Sequence, residues 1–198
     1  MTLAFDTATN VATIALVRDG EVLGERASRA VRILDDIDAL LAETGLGRDD
    51  VGRIVVGTGP GSYTGLRMGL ITARTLSFAL GVPLAGISTL AALAVGAPGA
   101  VPVIDGRRGE IFSLVAGEPA VLRPEELQVR PGAACVGDGA VRYRDVLERA
   151  GAEVPPDESP LHLPWARHHA ALAADFGPPD TVEPIYLRLP DAERALQP

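Results

Sequence analysis

The stretch VVGTGPGSYTGLRMG, residues 55–69, places glycines, hydroxyls and an arginine between an apolar run and a helix-like segment. Backbone N–H groups at such a helix N-terminus can bind a phosphate. A Walker A loop needs a lysine after its glycines, and the chain contains no lysine. The dinucleotide fingerprint fails because Thr64 stands where glycine is required, and a nucleophile elbow fails because Pro60 and Thr64 flank Ser62. Three well-defined chemistries are therefore excluded here.

Two interpretations of this turn stay open. The N–H groups of Gly61, Ser62 and Gly65 could bind an anion at the helix N-terminus. Alternatively, the glycines permit a tight strand-to-helix turn, and Ser62 or Thr64 caps the helix. The residues of this candidate anion-binding or structural turn are Gly59, Gly61, Ser62, Tyr63, Thr64, Gly65 and Arg67.

Two acidic residues are candidates for nucleotide chemistry. Asp6 and Thr7 follow a short apolar run and resemble the phosphate-facing turn of actin-like ATPases, in which an acidic residue holds magnesium. Asp105, which follows a similar run in the second half, would be the partner acid across a cleft. The alternative is that Asp6 and Thr7 only satisfy the backbone of a hairpin turn.

The metal-ligating residue types do not form a recognisable site. Of the three histidines, His168 and His169 are adjacent and cannot share one helix face, and His162 stands apart from them. The single cysteine, Cys135, excludes an internal disulfide and is expected to be a small buried hydrophobe. We therefore expect no metal and no cofactor.

The elements that must position these residues follow the order strand, strand, strand, helix, strand, helix, strand, which predicts a mixed α/β fold with a hairpin edge. Asp19-Gly20 marks the hairpin, and Gly45 and Gly81 mark helix ends. The corresponding segments are TLAFD, VATIALVRDGEVLGER, ILDDIDALLAETG, RIVVGTG, GLRMGLITARTLSFALG and VPLAGIS.

The second half repeats the plan of the first. LAFDTATNVATIALVRDGEV and VPVIDGRRGEIFSLVAGEPAV each read as an apolar strand, an aspartate, a turn, a strand, a tight turn and a strand. In this alignment Asp6 matches Asp105, and the turn at Asp19-Gly20 matches Glu118-Pro119. The pattern predicts a duplication whose second copy is eroded.

The helix after the glycine turn carries two apolar stripes at about 100° per residue. One stripe is enough to dock a helix on its own sheet, so the second needs another cover, either from the same chain or from a partner subunit. We favour the partner. The first stripe consists of Leu66, Leu70, Ala73 and Leu80, and the second consists of Met68, Ile71, Thr75 and Phe78.

Composition limits the classes of function. The formal charge is −8, and an acidic surface repels nucleic-acid phosphates. The segment from Thr75 to Ile104 is uncharged, but Pro83, Pro98 and Pro102 break it into pieces too short to span a bilayer. The N-terminal residues lack the pattern of a signal peptide. We expect a globular cytoplasmic protein without a membrane segment.

The motif GTGPGSYTGLRMG resembles the signature of the TsaB (formerly YeaZ) family. Further resemblances follow in the family's order along nearly the whole chain, in FDTAT, GISTLAALA, VIDGRRGEIF and PIYLR. The resemblance implies an α/β fold with two ribonuclease H-like lobes of the actin/Hsp70 (ASKHA) type. We assign them to residues 1–98 and 99–198, the second being reduced, and interpret Asp6, Thr7 and Asp105 as a vestigial nucleotide site.

The resemblance also implies a function. Members act in synthesis of threonylcarbamoyladenosine in tRNA, as the non-catalytic dimerisation partner of the TsaD threonylcarbamoyltransferase, together with the ATPase TsaE. They form homodimers when alone, and we expect contact with tRNA only through the complex. The implied partner surface lies on the helices of the first lobe, at Ile33, Leu34, Ile37, Leu41, Met68, Ile71, Thr75 and Phe78.

Two other functions are weighed against this one. The first is a nucleotide-dependent enzyme of the same fold that uses Asp6 and Asp105. The second is a protease, for which the sequence supplies no activated nucleophile or metal dyad.

Overall fold

The computed structural model describes residues 1–29 and 32–187. The first half of the chain forms a five-stranded sheet in the order β3-β2-β1-β4-β5. β1, β4 and β5 are parallel, and β2 and β3 are added antiparallel at one edge, as the sequence predicted. The strands are β1 (Thr2–Asp6), β2 (Ala12–Arg18), β3 (Glu21–Ser28), β4 (Arg53–Gly57) and β5 (Leu84–Ile87).

Two helices, α1 (Ile33–Glu43) and α2 (Tyr63–Leu80), cover one face of this sheet. The side chain of Ser62 caps the start of α2, and Gly81 ends it in the left-handed conformation at φ 66°. A third helix, α3 (Thr89–Gly96), follows β5 and leads into the second half. Helices α1 and α2 lie where the sequence predicted them.

The second half forms a four-stranded sheet in the order β8-β7-β6-β9. The segment VRYRDVLERAG contains the end of one short helix and the whole of the next, because the chain leaves the helical conformation at Tyr143. The strands are β6 (Val101–Arg107), β7 (Glu110–Val115), β8 (Glu118–Leu122) and β9 (Cys135–Val136), and the helices are α4 (Asp138–Arg142), α5 (Arg144–Arg149) and α6 (Ala166–Leu172).

Both sheets share one plan, in which a hairpin-connected meander of three strands meets a parallel fourth strand. The second tight turn, however, lies at Ala116-Gly117 and not at Glu118-Pro119, which belong to β8. Ala116 and Gly117 both have positive φ, 52° and 89°, as Asp19 and Gly20 do in the first half. That pair of left-handed residues is what a two-residue hairpin turn requires, so the sequence alignment of this turn was wrong by two residues.

The other face of the first sheet is covered by the C-terminal part of the chain. Ala166 of α6 lies in a buried cluster with one residue from each of four strands. These are Ala4 of β1, Ala15 of β2, Val55 of β4 and Ala85 of β5. Small side chains on both surfaces let the helix approach the sheet closely. The chain then pairs with the edge of β5, where Leu84 and Gly177 exchange two backbone hydrogen bonds.

Cys135 is fully buried on β9, as expected for a small core hydrophobe. Burial raises the pKa of its thiol to about 11, so the reactive thiolate is scarce at neutral pH. Over the described residues, no helix has the length and apolarity needed to cross a membrane.

Candidate functional site

The glycine turn packs directly against the turn between β1 and β2. A Cβ added at Gly61 would lie 2.2 Å from the carbonyl oxygen of Ala8, and one at Gly65 would lie 2.1 Å from that of Thr7. These distances are far below van der Waals contact, and the atoms opposite are backbone. The glycines are therefore required by the close approach of two backbone segments.

The polar groups of this turn are occupied by the protein itself. The N–H of Ser62 donates to the carbonyl of Ala8 at 2.6 Å, and the N–H of Gly65 faces the Ser62 hydroxyl at 3.4 Å. The Thr7 hydroxyl donates back to the carbonyl of Gly65 at 2.7 Å. Ser62, and not Thr64, is the cap. The geometry favours the structural interpretation, because two of the three N–H groups considered for an anion already have acceptors.

Replacing Gly65 with alanine tests this interpretation, because helix propensity and close packing predict opposite changes in the free energy of unfolding. Gly65 lies in the first turn of α2, where alanine is favoured over glycine by about 0.5–1 kcal/mol of intrinsic propensity. The 2.1 Å approach to Thr7 opposes this, so we expect Gly65→Ala to destabilise the protein by about 1–3 kcal/mol in urea unfolding. Gly47→Ala is the matched control, since Gly47 has φ −113° and no atom closer than 3.8 Å. Equal stability of the two variants would contradict the packing argument.

Asp6 lies at the end of β1 and is fully buried. One carboxylate oxygen accepts the N–H of Ala8 at 2.6 Å. The other accepts the Thr89 hydroxyl at 2.6 Å and lies 2.7 Å from Nε2 of His169, which is also fully buried. The burial of this carboxylate and its hydrogen bonds leave no exposed oxygen for a magnesium ion. The arrangement makes Asp6 a structural acid that joins β1, α3 and α6.

Sequence reasoning did not find the partners of Asp6. Thr89 and His169 are 83 and 163 residues away along the chain, and no spacing pattern connects them. Thr89 extends the network to the glycine turn, because its hydroxyl also accepts the N–H of Gly59 at 3.1 Å. The interaction between Asp6 and the glycine turn therefore runs through a residue that the sequence did not single out.

Of the other histidines, His162 is also hydrogen-bonded within the fold. His162 accepts the N–H of Gly137 on Nδ1 at 3.1 Å, which leaves its Nε2 to donate to the carbonyls of Pro155 and Pro156, each 3.1 Å away. Burial and the neighbouring Arg167 lower the pKa of His168. Within residues 1–29 and 32–187, no three side chains of the histidine, cysteine, aspartate and glutamate types come together as a metal site.

Asp105 occupies the corresponding place in the second half. It is buried and forms ion pairs with Arg107 at 3.3 Å and Arg142 at 3.7 Å. Arg107 also donates to the side-chain oxygen of Asn10 at 2.6 Å, so it links the β6–β7 turn to the β1–β2 turn. Arg107 therefore connects the two sheets at the turns that follow Asp6 and Asp105.

The two stripes of α2 have different environments. Leu66, Leu70 and Ala73 of the first stripe are buried in the core, and Leu80 packs against it. In the second stripe Ile71 is 60% exposed and Phe78 is 84% exposed. Thr75 is exposed as well, and Met68 is half-buried. Within the described residues, the chain itself does not cover the outer stripe.

The α1 residues assigned to the partner surface divide into two groups. Leu34 is 53% exposed beside α2, whereas Ile33, Ile37 and Leu41 are buried against the sheet. Their assignment as surface residues is corrected accordingly, because the α1 face with Ile33, Ile37 and Leu41 docks on the chain's own core. A cavity of about 300 Å³ opens between α1 and α2. Its lining is mostly apolar and also includes the paired Asp38 and Arg48; the apolar residues of the two helices in it are Leu34, Ile37, Leu41, Leu76, Ala79 and Leu80. Ile37 and Leu41 thus form the floor of a groove, with Leu34 beside it at the surface.

Comparisons with known proteins match the chain to TsaB and YeaZ proteins and to a TsaD family model. A family model described as "TsaD: tRNA N6-adenosine threonylcarbamoyltransferase" matches residues 8–136. The Escherichia coli protein named tRNA threonylcarbamoyladenosine biosynthesis protein TsaB is 33% identical over 94% of both chains. The structure described as YeaZ from Pseudomonas aeruginosa is 28% identical, has a TM-score of 0.75 and covers 94% of this chain and 99% of its own.

More distant structural similarity concerns the fold alone. The ethanolamine utilization protein EutJ from Carboxydothermus hydrogenoformans has a TM-score of 0.52 at 13% identity, covering 86% of this chain and 89% of its own. With its two mixed sheets and the aspartates at the first turn of each, the chain is a mixed α/β protein that shares its fold with the YeaZ structure and with EutJ. It belongs to the TsaB (YeaZ) family.

Proposed function

We propose that this protein takes part in the synthesis of threonylcarbamoyladenosine in tRNA as a non-catalytic subunit that docks on a TsaD-type threonylcarbamoyltransferase. The pathway is that in the printed names of its TsaB relatives and of the matching family model. The observation that carries the docking role is the outer stripe of α2, where Ile71 and Phe78 are exposed.

Exposed apolar side chains on one helix face are unfavourable in a free monomer and typical of a contact surface. Beside this stripe, the groove between α1 and α2 has an apolar floor that a partner side chain can fill. The partner-binding face therefore comprises Leu34, Met68, Ile71, Thr75 and Phe78, with Ile37 and Leu41 beneath it.

The state of the candidate nucleotide residues supports a role without catalysis by this chain. Asp6 uses both carboxylate oxygens within the fold, and Asp105 is paired with Arg107 and Arg142. The hydrogen bond between Arg107 and Asn10 joins the turns that follow Asp6 and Asp105. We therefore interpret Asp6, Thr7 and Asp105 as the remnant of a nucleotide site.

We further propose a division into two lobes, residues 1–98 and 99–198, of which the second is reduced. Its helices α4 and α5 have 5 and 6 residues, whereas α1 and α2 have 11 and 18. Helix α6 and residue 177 pack back onto the first sheet.

The assembly would include a TsaE-type ATPase and act in the cytoplasm. The isolated chain would pair with itself, and tRNA would bind through the complex.

The decisive experiment mixes the purified protein with the TsaD-family protein of the same organism and measures the mass by light scattering. We expect a stable heterodimer in place of the self-dimer. We also expect no ATP turnover by this chain alone. Absence of a complex at micromolar concentrations of both proteins would refute the docking role, and ATP hydrolysis by the isolated chain would refute the non-catalytic role.

A further inference from the structure

A second group of exposed side chains lies at the N-terminal end of α2. The rings of Tyr63 and Tyr186 are both partly exposed and lie 5.4 Å apart, tilted by 35°. The guanidinium of Arg67 lies 5.2 Å from the centre of the Tyr63 ring, and its Nη1 donates to the Tyr63 hydroxyl at 2.9 Å. We name Tyr63, Arg67 and Tyr186 the tyrosine–arginine cluster. Two of the three tyrosines of the chain meet in it.

This cluster continues the outer stripe of α2. Tyr63, Arg67, Ile71 and Thr75 follow one another at intervals of four residues, which places them on one side of an α-helix. Tyr186 is added to that side by the C-terminal segment. The exposed surface is therefore continuous from Phe78 at one end of α2 to the tyrosine–arginine cluster at the other.

The C-terminal segment is held firmly where it presents Tyr186. The N–H of Ile185 donates to the carbonyl of Thr58 at 2.8 Å, and Val182 is buried in the core of the first sheet. Arg74 of α2 donates to the carbonyl of Val182. A segment whose backbone is already fixed before binding loses little conformational entropy in a complex, which favours affinity.

We infer that the partner-binding face extends onto the C-terminal segment, and that the tyrosine–arginine cluster binds a carboxylate side chain of the partner together with an adjoining apolar group. This rests on the docking role proposed above. Arg67 forms no ion pair with an acidic residue among those the structure describes, so its charge is left for a partner. Tyrosine and arginine are the residue types that most often dominate the binding energy of protein interfaces.

A nucleic-acid base or phosphate is the other chemistry that stacked tyrosines and an arginine can bind. Two observations favour a protein. The chain carries a formal charge of −8, and the cluster is continuous with Ile71 and Phe78, which a nucleic acid would leave uncovered. The test below therefore includes tRNA as a separate ligand.

The test measures the dissociation constant of the full chain for its TsaD-family partner by biolayer interferometry. We expect Tyr186→Ala to weaken binding about tenfold or more, and Tyr186→Phe, which retains the ring, to stay within about threefold of the wild type. Arg67→Glu should weaken binding more than Arg67→Ala does, since it places a like charge opposite a carboxylate. Leu161→Ala, at a similarly exposed apolar residue elsewhere on the chain, is the control and should leave binding unchanged.

The outcomes separate this inference from the docking role. If Ile71→Asp abolishes the complex while Tyr186→Ala and Arg67→Ala bind as the wild type does, the extension is wrong and the docking face on α1 and α2 stands. If none of the variants changes binding, the proposed docking face itself is wrong. Weaker binding of purified tRNA by Tyr186→Ala, with unchanged partner binding, would overturn the inference in favour of a nucleic-acid site. Circular dichroism melting of each variant verifies that it is folded.

Discussion

Phe78→Asp is expected to abolish the complex with the TsaD-family partner while leaving the isolated protein folded. Phe78 is 84% exposed on α2, so a polar replacement removes almost no contact from the monomer. In a complex the phenyl ring would be buried, and burial of such a side chain contributes about 1.5–3 kcal/mol. An aspartate at the same place would add the cost of burying an unpaired charge, so we expect at least a hundredfold loss of affinity, about 2.8 kcal/mol.

The measurement is a titration of the partner by isothermal calorimetry, with the melting temperature of each variant recorded beside it. Val95→Asp is the matched control, because Val95 is a partly exposed apolar residue on α3, away from the outer stripe. The control should bind as the wild type does. Should Phe78→Asp and Val95→Asp bind equally well, the outer stripe of α2 is not the docking face.

Asp6→Asn is expected to destabilise the fold by about 3 kcal/mol, the upper end of the cost of leaving a buried hydrogen-bonding group unsatisfied. Asp6 accepts hydrogen bonds from Ala8 and Thr89 and faces Nε2 of His169. An asparagine turns one of its two oxygens into an NH₂ donor, which then faces another donor in a buried site. The loss should be visible as a lower midpoint of urea unfolding with an unchanged slope.

Asp145→Asn, at an exposed aspartate of α5, is the control and should change stability by less than about 0.5 kcal/mol. Asp6→Asn combined with His169→Gln should cost less than the sum of the two single changes, because the residues share one interaction. An Asp6→Asn protein as stable as the wild type would refute the structural role. Loss of an ATPase activity at full stability would favour the enzyme interpretation instead.

For the glycine turn, the sequence excluded some functions but did not choose between the two that were left. Comparison with known phosphate-binding motifs excluded three chemistries, since each depends on a residue type at a set spacing, such as the missing lysine. The choice between anion binding and tight packing could not be made from the sequence. It depends on which atoms lie opposite Gly61 and Gly65, and these belong to the β1–β2 turn, more than 50 residues away.

The interpretation of the α1 helix shows a similar limit. Its spacing correctly predicted an amphipathic helix over Ile33–Glu43. Periodicity identifies an apolar side but does not say what that side contacts, so it could not distinguish the core residues Ile37 and Leu41 from residues of a partner surface. On α2 the two apolar stripes allowed core residues to be distinguished from surface residues, because a single sheet can cover only one stripe.

The sequence by itself therefore determined the order of strands and helices in the first half, the repeated strand plan, the two-sided α2 helix and the family resemblance. These are recorded in residue types and spacings over short stretches of chain. Only the tertiary structure decided that Thr89 and His169 surround Asp6, that α6 covers the first sheet and that Tyr186 stands beside Tyr63. Such contacts join residues distant in sequence, and their pairing follows from how the elements pack and not from any local pattern.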